Sequence, residues 1–224
     1  MIDLIFLAGG KSSRMGLSTP KPFLQLLDKK VFEYSFEILL KHPDLNKIVV
    51  VVPDEFKCEF SKFNQLMIFA EPGTSRLGSV INGYQLIEES ISSHVLIHDA
   101  ARPFLNAKDL DLLIEKGLTC DGIGLAEKIT SSIKLVQDQK IKKNLNRDDY
   151  VLMQTPQMIK KNILKNSLFL IEPSKEITDD LSLLEFANKE GEILFGSPYN
   201  FKLTYKKDLE YAEFLLKNET PLFE

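Results

Sequence analysis

Five short β-branched or apolar runs, IDLIFL (2–7), KIVVVV (47–52), MIFA (67–70), HVLIH (94–98) and GIGLAE (122–127), punctuate residues 1–127 of this chain. Apolar runs this short and this unbroken read as strands buried on both faces. Between them, Phe32, Phe36, Leu39 and Leu40 recur at helical spacing, as do Leu77, Val80, Ile81, Tyr84 and Ile87. A further helix is predicted from about Ala107, with Asn106 as N-cap, Leu110, Leu113 and Ile114 on one face, and Gly117 near its end. Strands alternating with helices predict a doubly wound, Rossmann-like α/β fold with a mostly parallel sheet. Ligands in such sheets lie beyond the carboxyl ends of the strands, where residues 7–16 and 98–103 fall.

The first of those segments is LAGGKSSRMG (7–16), directly behind the first strand. Small residues there leave backbone amides bare, and Lys11 and Arg14 add two cations, a combination suited to a triphosphate. Gly9, Gly10 and Gly16 do not fit G-x-G-x-x-G, and no Lys-Ser/Thr pair follows the last glycine as a P-loop requires. A dinucleotide carrier and a P-loop ATPase are both disfavoured. Lys21 stands between Pro20 and Pro22, whose fixed φ predicts an extended, non-helical arm.

With 224 residues the chain is long enough to bury a substantial core, and residues 1–224 are expected to form one domain. The formal net charge of −4, with acids and bases interspersed, provides no basic stripe for nucleic acid. Cys58 and Cys120 are too few for a disulfide framework and suggest no metal site. No apolar run approaches membrane-spanning length and the first residues carry no signal-peptide pattern, so a reducing cytoplasm is the expected setting.

Residues 128–157 break the alternation: ITSSIKLV, the polar turn QDQK, then IKKNLNRDDY and MQTPQ, with no face wide enough for a core helix. This segment is predicted to be a projecting β-hairpin arm. A two-stranded ribbon is marginal by itself, so the arm is expected to pack on the same arm of a second chain, giving a homodimer.

A second chemical segment is HDAARP (98–103) at a strand end. Asp99 can hold a divalent metal there, Ala100 and Ala101 permit close approach of a ligand, and Arg102 adds charge for phosphate. His98 reads as a packed strand residue with no catalytic role. Downstream come PGTSRLGS (72–79), ITDD (177–180) and NFKLT (200–204). Thr178 is equally readable as an N-cap, with Asp179 and Asp180 on the helix dipole, and Lys202 alone would be an ordinary strand lysine.

Together, AGG…SRMG, Pro20-Lys21, GTSR…S, HDAARP, Arg147 with TPQ, ITDD and N-x-K-x-T resemble the cytidylyltransferases that join CTP to a sugar or polyol phosphate. The strongest resemblance is to those acting on 2-C-methyl-D-erythritol 4-phosphate in non-mevalonate isoprenoid synthesis. The loop alone is also similar to molybdenum-cofactor guanylyltransferases and to ribitol-5-phosphate cytidylyltransferases, and the latter are the nearest alternative. A catalytically silent nucleotide-binding module is the alternative from another class. The resemblance implies that Arg14 and Lys21 stabilise the transition state while Arg147 and Lys202 hold the attacking phosphate. It implies that Leu7, Ala8, Gly9, Gly10, Gly73, Ser79, Asp99, Ala100 and Arg102 surround CTP, with Asp99 on Mg²⁺. Ser132, Thr155 and Thr178 match polyol-phosphate contacts, some of which the family draws from a neighbouring subunit's arm.

Overall fold

The computed structural model describes residues 1–10, 19–171, 177–218, 220 and 222. In chain order its strands are β1 (Ile2–Leu7), β2 (Gln25–Leu26), β3 (Lys29–Lys30), β4 (Leu45–Val51), β5 (Met67–Ala70), β6 (His94–Asp99), β7 (Gly122–Lys128), β8 (Ile133–Gln137), β9 (Lys140–Leu145), β10 (Val151–Lys160) and β11 (Glu192–Phe195). The helices are α1 (Val31–Leu40), α2 (Arg76–Gln85), α3 (Ala107–Gly117), α4 (Lys161–Leu170) and α5 (Lys206–Lys217). Seven strands form one sheet in the order β11-β7-β10-β6-β1-β4-β5. All pairings are parallel except those of β10, which runs antiparallel to both β6 and β7.

Period-two alternation divides the strands between two cores. Leu4, Phe6, Ile48, Val50, Leu96 and Met158 meet Phe32, Phe36 and Leu39 of α1 and Leu110, Leu113 and Ile114 of α3. Ile5, Val49, Val51, Val95, Ile97 and Ile159 meet Leu77, Val80 and Tyr84 of α2 and Ile163 and Leu164 of α4. Because both faces are covered, the strands carry no polar face, which is why they read as continuous apolar runs. On the first face the rings of Phe6 and Phe36 lie 4.6 Å apart and Phe60 closes over both.

The capping expectations hold at α3, where Asn106 accepts from the Asp109 amide, and α2 gains a Ser75 cap accepting from Gly78. Two expectations are corrected. Lys21–Phe23 is a turn of 3-10 helix, because prolines fit the first helical positions as readily as an extended arm. The projecting ribbon is also shorter than 128–157. It comprises β8 and β9, whereas Val151–Lys160 turns back into the main sheet between β6 and β7. Gln154, Thr155 and Gln157 lie buried in β10 because hydrogen bonds satisfy their polar groups.

Against β7 packs a 3-10 segment, Leu181–Ala187. A Cβ on Gly124 would come within 2.9 Å of Leu181 Cδ1 and 3.1 Å of Gln157 Cγ, so only glycine admits this approach.

Candidate active site

The parallel strands β1 and β6 end together, Leu7 beside Asp99. Beyond them the Ala100 amide donates to Leu7 O and the Arg102 amide to Asp99 O, a tight turn that holds Asp99 at the rim. The Ala8 amide donates to Val51 O. Gly9 then passes so close to the turn after β5 that a Cβ would lie 2.3 Å from Pro72 Cγ. Within that turn the Gly73 amide donates to Ser79 Oγ, and Ser79 Oγ–H donates to Ser75 O. Leu7, Ala8, Gly9, Gly73, Ser79, Asp99 and Ala100 therefore come from neighbouring strand ends and turns. Gly10 is the last described residue before 11–18, and Arg14 lies outside the described residues.

A cleft of about 420 Å³ opens here, lined by Arg76, Asp99, Arg102, Thr155, Thr178 and Lys202 among others. Its centre is a carboxylate between two cations. Lys202 Nζ donates to Asp99 Oδ2 at 2.7 Å, and Arg76 Nε to Asp99 Oδ1 at 3.2 Å. Burial works to raise the Asp99 carboxyl, but Arg76, Lys202 and Arg102 more than reverse it and hold it well below the usual carboxylate range. Behind Asp99, Thr155 Oγ1 accepts from the Asp99 amide at 3.0 Å and lies 3.1 Å from His98 Nδ1. His98 is fully buried, and burial lowers its pKa to about 3, so it stays neutral. Arg102 donates to Asn200 O and Met153 O, while its buried Nε has no partner among the described residues.

Lys202 reaches Asp99 because its neighbours are anchored. The Asn200 side chain donates to Thr155 O and the Leu203 amide to Ala101 O, with Leu203 buried on the opposite side. Residues 201–204 carry no strand assignment, so Lys202 is not the strand lysine that isolated reading suggests. The N-cap reading of Thr178 is likewise replaced. The residue preceding the 3-10 segment is Asp180, and its side chain caps nothing. It is fully buried and accepts both Arg76 Nη1 (2.6 Å) and Nη2 (2.7 Å). Burial alone would lower the Arg76 guanidinium, yet Asp180 and Asp99 together hold it above its ordinary value.

Lys21, Ser132 and Arg147 are not among the residues lining this cleft. Lys21 is buried at the start of its 3-10 turn. Ser132 and Arg147 are exposed at the base of the ribbon, where Arg147 Nη1 donates to Thr130 O. Arg76, Gln157 and Asp179 line the cleft and Asp180 stands behind Arg76, although sequence reading assigns none of them a site role. The GTSR, TPQ and ITDD segments contain all four, but only the fold shows that they meet.

Among the described residues no group of three His, Cys, Asp or Glu side chains is placed to hold a metal. Asp99 is a single hard oxygen donor. Mg²⁺ is commonly held by one or two carboxylates together with substrate phosphates, so this donor suits a metal that arrives with a triphosphate.

The family model described as 2-C-methyl-D-erythritol 4-phosphate cytidylyltransferase (IspD) matches residues 2–218. A curated protein of that name from Actinobacillus pleuropneumoniae is 36% identical over 217 residues, covering 95% of each chain. One from Thermotoga neapolitana is 31% identical over 216 residues, covering 95% of this chain and 96% of its own. The crystal structure of the Francisella tularensis protein of the same name superposes with a TM-score of 0.81 at 26% identity, covering 95% of this chain and 98% of that one.

Proposed function

Since the chain belongs to the 2-C-methyl-D-erythritol 4-phosphate cytidylyltransferase family, we propose that it transfers the cytidylyl group of CTP to 2-C-methyl-D-erythritol 4-phosphate and releases pyrophosphate. The observation that carries this reading is the Arg76–Asp99–Lys202 cluster at the strand ends, a charged centre beside a cleft of suitable size.

An oxygen of the acceptor phosphate attacks the α-phosphorus of CTP. The new P–O bond forms as the bond to the bridging oxygen of the β-phosphate breaks, and pyrophosphate departs with that electron pair. The nucleophile is already an anion, so no general base is required. The work left to the protein is to align two polyanions and offset the charge between them. Lys202, 37% exposed, has an ammonium that can move from Asp99 to an incoming phosphate. Arg102 adds positive charge in the wall of the same cleft. Arg14 and Lys21 are assigned to the nucleotide phosphates by their motif match. Mg²⁺ held with the triphosphate by Asp99 would neutralise phosphate charge and make the α-phosphorus more electrophilic.

Arg147 and Ser132 sit on the ribbon base and not in this cleft, which favours their delivery to a second protomer's site. The ribbon exposes Leu135, Val136 and Ile141, apolar surface that a second copy would cover. We therefore take the active form to be a homodimer. A cytoplasmic setting fits Cys58 and Cys120, both free, and among the described residues no helix is long and apolar enough to cross a membrane.

The test is pyrophosphate release from each nucleoside triphosphate with 2-C-methyl-D-erythritol 4-phosphate and with ribitol 5-phosphate, with and without Mg²⁺. Turnover with CTP and the methylerythritol substrate, abolished by EDTA, is expected. Preference for ribitol 5-phosphate would overturn the acceptor assignment. Arg14→Ala and Lys21→Ala should each lose on the order of 10²-fold or more in turnover while remaining folded.

A further inference from the structure

We propose that Arg76 is a positioning residue, a half-buried crosspiece that sets the 178–180 loop at a fixed distance from the Asp99–Lys202 pair and so aligns the two halves of the cleft. Each nitrogen of the guanidinium makes a hydrogen bond to protein. Nη1 and Nη2 grip Asp180 in a two-point pairing, and Nε reaches Asp99 on the strand end. Two carboxylates 81 positions apart in sequence thus share one cation (Asp180 and Asp99). The loop's other fixed point is Gln157 of β10. Its Oε1 accepts from the amides of Asp180 and Leu181, and its Nε2 donates to Asp179 Oδ2 and Gln154 O. Gln157 is fully buried and sets where the loop begins. Arg76 sets how far the loop stands from Asp99.

Each partner is held from its own side. Arg76 opens α2, whose first turn is fixed by the Ser75 cap. Asp180 is sealed from solvent, and Asp99 is tied through its amide to Thr155. Thr178 and Asp179, at the lip of the cleft, follow Asp180. A lysine at position 76 would keep the charge but lose the fork, and so could not hold both carboxylates at once.

The kinetic part of this inference rests on the cytidylyltransferase reading, so the experiment has two arms. Arg76→Gln alone strands the buried Asp180 carboxylate, and Asp180→Asn alone strips the guanidinium of its two-point partner; each is expected to weaken the fold. The double variant removes both charges together and is expected to melt within about 4 °C of wild type. Its turnover with CTP and 2-C-methyl-D-erythritol 4-phosphate should nevertheless stay down on the order of 10²-fold, with the KM for the acceptor raised. Recovery of both melting and turnover in the double variant would show a purely structural staple and overturn the proposal. Arg76→Lys carries the same comparison if the double variant does not fold.

The second arm needs no substrate. Amide hydrogen exchange of residues 177–182 should accelerate in the Arg76 variants while β1 and β6 keep wild-type protection. Unchanged exchange in that segment overturns the proposal whatever the assay gives. If wild type releases no pyrophosphate but the exchange result holds, the activity reading fails and the positioning role stands.

Discussion

Asp99 and Lys202 stand 103 positions apart in the chain and meet at 2.7 Å, making one end of the sheet answer to a segment near the carboxyl terminus. The Lys202 ammonium is the more exposed partner, so its removal should cost activity and little stability. Lys202→Ala is expected to lower turnover on the order of 10²- to 10³-fold, as removal of one charge-stabilising donor typically does. Pyrophosphate release measured beside a thermal melt checks both halves, and near-wild-type turnover would remove Lys202 from the phosphate site.

Thr155 is 3% exposed, and its hydroxyl is committed inward to His98 and the Asp99 amide. Thr155→Val should leave that amide without an acceptor and cost about 1–3 kcal/mol in urea unfolding. Thr155→Ser, which keeps the oxygen, should recover most of the loss. Equal stability of the valine and serine variants would show the hydroxyl to be dispensable.

The ribbon offers a direct test of assembly. Val136 and Ile141 are 54% and 68% exposed, so Val136→Asp with Ile141→Lys should leave the fold of a single chain intact. Light scattering is expected to fall from a dimer mass to a monomer mass, and turnover should fall with it because Arg147 no longer reaches a second site. An unchanged mass would place the interface elsewhere.

His94, buried at the opposite end of β6 from Asp99, gives the fold a dependence on pH. Burial first, then Lys160 and the amino terminus, push its pKa below the ordinary 6.5. The folded state therefore keeps His94 neutral where the unfolded chain begins to take up a proton. Its contribution is fully present above about pH 6.5 and is lost as pH falls, with a slope of up to about 1.4 kcal/mol per pH unit. Unfolding free energies between pH 7.5 and 5.5 should fall less steeply in His94→Gln than in wild type. Identical slopes would contradict the sign.

The elements legible in sequence were those whose residues all agree. Strands β1, β4, β5, β6 and β7 are mostly apolar on both faces, and α1 to α3 carry regular stripes with a true cap at Asn106. Strand β10 was hidden because Gln154, Thr155 and Gln157 look like loop residues until their partners are known. Asp99, Arg102, Thr155, Thr178 and Lys202 were identified by motif and do line one cleft. Arg76 and Asp180 escaped because a pairing across 104 positions leaves no local pattern. Arg147 and Ser132 were marked as site residues, yet a single chain does not bring them to the cleft.

Gly124 carries no functional group and is buried in β7, yet it governs how near the 181–187 segment can settle. Even one added methyl would lift Leu181, and the carboxylate just before it would retreat from its guanidinium. Overpacking of that kind ordinarily costs about 1–3 kcal/mol. Here the displacement would carry Asp180 away from Arg76, so a single hydrogen atom on a buried strand sets how closely the two charges can meet.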